Sequence, residues 1–193
     1  MSIKPFKQFT EKTAPAAAKE MLETTIKDFG MIPNLESVMA GAPALLASYN
    51  HCWDKFKSTS LSAIEQQVVY LTINFENNCE YCVPWHTLLS QQVNMPAAEI
   101  QNLRDGCALE DKKLNALHQF TKSLLRTSGS IAPADLQDFK AAGYTEQQAL
   151  EVVLGIATKV MSNYTNAVAQ TPLDEEVVSL RWKKPSLRGD RES

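Results

Sequence analysis

Cationic excess, long apolar runs and cysteine are all scarce in this chain, and each scarcity closes off a class of function. Lys and Arg number 19 against 22 Asp and Glu, a net charge of −3 at pH 7, so the balance favours neither nucleic acid nor an anionic membrane as partner. No stretch approaches the ~20 apolar residues of a membrane span. The opening Met1-Ser2-Ile3-Lys4-Pro5-Phe6 lacks the apolar run of a secretory leader, and a cytoplasmic protein is expected. Four cysteines in 193 residues are no disulfide framework, and none is needed, because a chain of this length buries a core without staples. With 44% hydrophobic and 21% charged residues, the make-up is that of an ordinary globular domain.

What the chain does have is helix punctuation. Ala14 to Phe29 carries Pro15 in a first-turn position, Met21, Leu22 and Ile26 at helical spacing, and Gly30 as a stop. A short helix over 35–40 and another from Pro43 through Phe56 follow, the second carrying His51 and Cys52. Ser62-Ala63-Ile64-Glu65 is a capping-box pattern, so the apolar run to Phe75, which reads locally like a strand, is expected to be a buried helix. Asn77-Asn78 breaks it and caps a new helix from Cys79 to about Val93. Further helices are expected after Pro96, over 109–125, after Pro133, and from a second capping pattern at Thr145 to about Gln170. Eight to ten helices and no strand make an all-α fold: one domain over 1–180, then a basic tail over 181–193.

The chemistry gathers in Glu76-Asn77-Asn78-Cys79-Glu80-Tyr81-Cys82-Val83-Pro84-Trp85-His86, which holds two of the four cysteines and one of the three histidines. A C-x-x-C pair sets two sulfurs about one helical turn apart, where a disulfide closes readily. Either sulfur is a candidate thiolate. A helix N-terminus at Asn78 favours Cys79, whereas His86, four residues beyond Cys82, favours Cys82 by taking its proton. Pro84 bears on both arguments, since outside a first turn it kinks the helix and rotates His86. Cys79, Cys82 and His86 also supply three ligands for zinc, but no second C-x-x-C or H-x-x-x-H provides a fourth. Cys52, Cys107, His51 and His118 stand singly and read as packed or surface side chains.

At Cys79, Cys82 and His86 the sequence resembles the AhpD-like alkylhydroperoxidase and carboxymuconolactone decarboxylase family, whose redox branch carries C-x-x-C-x-x-x-H after a long helix. The resemblance runs from about Ala44 to Asp174 and includes Ser162-Asn163-Tyr164-Thr165-Asn166 and Thr171-Pro172-Leu173-Asp174. It implies that Cys82 attacks peroxide, Cys79 resolves, and His86 relays protons. The family often has a glutamate twelve residues before the first cysteine, where this chain has Gln67. Glu76, ahead of Glu65, is the expected replacement carboxylate.

The resemblance implies a hydroperoxide substrate, an external thiol reductant, no bound metal or organic cofactor, and a closed homo-oligomer, a trimer or a hexamer of trimers. The competing expectation is a redox-responsive dithiol scaffold or binding protein without turnover; a zinc site or a decarboxylase ranks lower.

Overall fold

The computed structural model describes residues 6–185. Among them all regular structure is helical: nine α-helices and one 3₁₀ segment. Helix α1, Ala16–Phe29, follows Pro15 and ends on Gly30 at φ 77°, a left-handed conformation that suits glycine. Asn34–Met39 is α2, Pro43–Lys57 is α3, and Ala63–Glu76 is α4. The strand-like run of α4 is helical because both halves of its capping box form, Ser62 Oγ accepting from Glu65 N and Glu65 Oε2 from Ser62 N. Helix α6 is Ala97–Asp105, α7 Lys112–Arg126, α8 Pro133–Ala141 and α9 Glu146–Ala169, which Thr145 and Gln148 open with a second capping box.

Helix α5 differs from expectation. It spans Cys82–Gln92 rather than starting at Cys79, because Asn78 takes φ 52° and turns the chain, leaving Cys79 to Tyr81 as a lead-in. Pro84 therefore lies in the first turn, where its missing N–H costs nothing and no kink follows.

Helix α4 is the central rod, packed against α5, α7, α9 and α6. Helix α9 crosses α4 and α3 at Gly155, where a Cβ would come within 2.8 Å of Phe56 and Val69, so only glycine permits this approach. Two apolar clusters result. One joins α4 to α7, α8 and α9 through Val68, Leu117, Phe120, Phe139 and Val152, and the other joins α1, α2 and α3 through Leu22, Met39 and Leu46 and includes Cys79, Tyr81 and Cys82. Trp53 touches both, and the C-x-x-C stretch sits at their junction.

The 3₁₀ segment Glu175–Leu180 packs on α5. The chain stays on the core beyond the expected boundary at 180: Trp182 is buried against Phe75 and donates from Nε1 to Arg104 O at 2.8 Å. A large aromatic with a polar handle anchors what the surrounding charges suggested was solvated tail. The tail from residue 186 on, with Arg188 and Arg191, lies outside the described residues, as does the stretch before Phe6. No helix of the described residues is long and apolar enough to cross a membrane.

Candidate active site

All four cysteines are free thiols; Cys52 is half-buried, Cys107 exposed, and Cys79 and Cys82 buried. The Asn78 turn places Cys79 so that its Sγ accepts the Cys82 backbone N–H at 3.3 Å, one of the N–H groups that a helix start leaves free. Helix α9 faces the pair. Asn166 Nδ2 lies 3.3 Å from Cys82 Sγ and 3.9 Å from Cys79 Sγ, and Ser162 Oγ lies 3.9 Å from Cys82 Sγ.

These surroundings separate the two thiols. Burial alone would raise the Cys82 pKa, but the Cys79 thiol donating to it, the charge of Lys159, and the Asn163 and Ser162 side chains hold it below the ordinary thiol value. Donation to Cys82 and burial push Cys79 the other way. Cys82 is thus the more acidic thiol of the pair.

Lys159 is 1% exposed, one turn before Ser162 on α9. Its Nζ lies 3.0 Å from His86 Nε2 and over the Tyr70 ring, and among the described residues no carboxylate comes within ion-pair distance of it. Burial, then the Lys159 charge, pushes His86 well below its usual pKa, so the imidazole is neutral. The hydrogen bonds assign its tautomer: Lys159 donates to Nε2, and Nδ1–H donates to Gln67 Oε1 at 2.8 Å.

Both ring nitrogens are therefore engaged. The direct His86–Cys82 proton transfer suggested by their spacing is not a contact of this structure, and His86 instead positions Lys159. Glu76 is not brought to the thiols. Its carboxylate forks onto Arg126 of α7 at 2.9 and 3.2 Å. Glu65 is held by the Ser62 cap and Lys113. The other two histidines follow expectation, His51 exposed and His118 buried against Thr72.

Two openings meet the dithiol, one at each cysteine. A cavity of about 100 Å³, walled by Phe29, Tyr49, Trp53 and Trp85, meets Cys82, His86, Lys159 and Glu36. A cleft of about 360 Å³ lined by Asn77, Glu80, Asn166 and Gln170 meets Cys79.

No protein-family model matches the chain, and no curated protein matches it. Solved structures do. The chain is similar to the alkylhydroperoxidase AhpD core structure of an uncharacterized peroxidase-related protein from Ralstonia eutropha JMP134, with TM-score 0.79 and 16% identity over 92% of this chain and 95% of that one. The fold is AhpD-like. An uncharacterized peroxidase-related protein from Silicibacter sp. TM1040 aligns with TM-score 0.70 and 18% identity over 84% of this chain and 87% of that one. The debrominase Bmp8, in complex with 2,3,4-tribromopyrrole, aligns with TM-score 0.73 and 10% identity over 93% and 97%.

Within the AhpD-like frame the resemblance at Gln67 has a physical counterpart, since that side chain meets His86. The frame also explains Thr171-Pro172-Leu173-Asp174. Asp174 accepts from Tyr81 Oη, from Trp85 Nε1 at 2.8 Å and from the Asn34 backbone N–H at 2.9 Å, binding the α5 lead-in to α2. Sequence reasoning missed Lys159, Glu36 and the roles of Ser162, Asn166 and Asp174. The available signals were a lysine inside the second long apolar helix and a glutamate inside the apolar run Leu35 to Ala40.

Proposed function

We propose that this protein reduces small hydroperoxides through a Cys79/Cys82 dithiol–disulfide cycle. The observation that carries the reading is the Cys82 environment: a buried sulfur whose acidity Lys159 and the α9 donors raise, lining a cavity, with a second thiol three residues away. Cys82 sulfur attacks one peroxide oxygen; the S–O bond forms, the O–O bond breaks, and the other oxygen leaves with a proton as alcohol or water. The Cys79 sulfur then displaces hydroxide from the sulfenic acid, and its own proton completes a water molecule. An external dithiol, or two thiols, returns two electrons and two protons through the cleft at Cys79. Lys159, steadied by His86 and Gln67, supplies the charge that keeps Cys82 ionised.

A second reading is carried by the aromatic walls of the cavity and the likeness to Bmp8: reductive removal of halogen from an aromatic ring. Peroxide is preferred on size. About 100 Å³ is less than the roughly 150 Å³ of a cavity that takes benzene.

Single-cysteine variants test the cycle, in a Cys52→Ser, Cys107→Ser background that silences the other thiols. Cys82→Ser abolishes peroxide consumption. Cys79→Ser permits one turnover and stalls as sulfenic acid or an over-oxidised form, read by intact mass. Reversed behaviour assigns the nucleophile to Cys79. Wild-type protein that consumes no peroxide with a thiol donor is a scaffold, and bromide release from a bromopyrrole would favour the second reading.

A further inference from the structure

Glu36 is a carboxyl that the cycle as written does not use. It lies on α2, in a run from Leu35 to Ala40 that is buried throughout, and is itself 7% exposed. Its Oε2 has no hydrogen-bond partner among the described residues, and no cation lies within ion-pair distance of it. Glutamate is almost never buried unpaired, because an ionised carboxylate loses its hydration there. It lines the same cavity as Cys82, Lys159 and His86. Meanwhile Gln67, where the family resemblance places a glutamate, is occupied by His86 and carries no exchangeable acid proton.

We propose that Glu36 is the acid of this site, its carboxyl proton going to the oxygen that leaves when Cys82 sulfur takes the other oxygen of a small hydroperoxide. The inference rests on the peroxidase reading above. The step balances without further reagents: the S–O bond forms, the O–O bond breaks, the leaving oxygen becomes a hydroxyl, and Glu36 becomes a carboxylate that regains its proton from water. The site thus pairs a thiolate with a neutral acid, two groups whose surroundings push their acidities apart.

The charges around Glu36 agree. Facing it are Tyr49 from α3, Tyr81 and Cys82 from α5 and its lead-in, Lys159 from α9, and Asp174 beyond α9; Asp28 of α1 and Asp54 of α3 line the same cavity. Burial raises its pKa most, Asp174 and Cys82 add to this, and its own backbone N–H and Lys159 oppose it; the result is about 8. The two tyrosines stay protonated, held well above their usual range by burial. Glu36 is therefore protonated at neutral pH and loses its proton as the solution becomes mildly alkaline.

The test is single-turnover oxidation of reduced full-length protein by hydrogen peroxide across about pH 5 to 10, with iodoacetamide alkylation of Cys82 measured alongside. Wild-type oxidation rises as Cys82 ionises and falls again above about pH 8 as Glu36 loses its proton. In Glu36→Gln the alkaline fall disappears and the rate at pH 7 drops by about 100-fold, the usual scale for losing a general acid. Alkylation needs no proton delivered to oxygen and stays near the wild-type rate, which also shows that the site has folded. Glu36→Asp recovers part of the rate. Retention of the alkaline fall in Glu36→Gln, or alkylation dropping in step with oxidation, overturns the acid role. Wild-type Cys82 that alkylates readily but resists peroxide overturns the peroxidase reading and the acid role together, so the wild-type trace distinguishes the two failures.

Discussion

In the proposed cycle Cys82 is activated by a residue distant in sequence. Among the described residues no carboxylate lies within ion-pair distance of the buried Lys159, and a thiolate at Cys82 is the counter-ion that its position calls for. Replacing it in Lys159→Met removes the charge that opposes burial, so the Cys82 pKa rises and the thiolate fraction at pH 7 falls. Each unit of that rise is a tenfold loss, and the alkylation rate at neutral pH is expected to drop by about 10- to 100-fold, with the acid limb of its pH profile moving upward. His86, relieved of its cationic neighbour, titrates closer to its ordinary value, which its NMR titration would show. An unchanged alkylation profile would assign the activation to Cys79 and the α9 donors instead.

At the scale of elements, Asp174 is the fastening. It satisfies the α2 backbone at Asn34 and holds Tyr81 of the lead-in and Trp85 of α5, on either side of Cys82. Asp174→Ala leaves those donors without an acceptor, and at about 1–3 kcal/mol for an orphaned buried group the protein should lose roughly 2–4 kcal/mol in urea unfolding. A loss below about 0.5 kcal/mol would mean that water replaces the carboxylate without cost. The same elements show what a sequence can carry. Capping boxes at Ser62 and Thr145 located α4 and α9, because a cap is a local hydrogen-bond pattern written in adjacent residues. The start of α5 was misplaced by three residues, since asparagine suits both a cap and a left-handed turn, and packing chose the turn at Asn78. The C-x-x-C-x-x-x-H motif located the site, but its spacing joined His86 to Cys82. The structure joins His86 to Lys159, across 73 residues. Such pairings depend on how α5 and α9 cross, which no local pattern encodes. Glu76 failed for the same reason: near in sequence, it is drawn away by Arg126 on α7.

For the molecule as a whole, α9 carries a face that the described residues leave uncovered. Leu150, Val153, Tyr164 and Val168 are 72%, 49%, 60% and 64% exposed, and their spacing puts them on one stripe along most of the helix. We propose that this stripe docks a second copy of the chain, the closed homo-oligomer that the family resemblance implies. Light scattering at low micromolar concentration should give a multiple of 21.4 kDa. Val153→Lys with Val168→Lys should reduce it to the monomer, and a wild-type monomer would contradict the assembly.

In the proposed cycle the two buried thiols form one redox unit. Reduced protein treated with one equivalent of hydroperoxide, then alkylated, digested and mapped by mass spectrometry, should lose two thiols per chain, joined as Cys79–Cys82, with Cys52 and Cys107 still alkylated. Four intact thiols, or a bridge that includes Cys52 or Cys107, would contradict it.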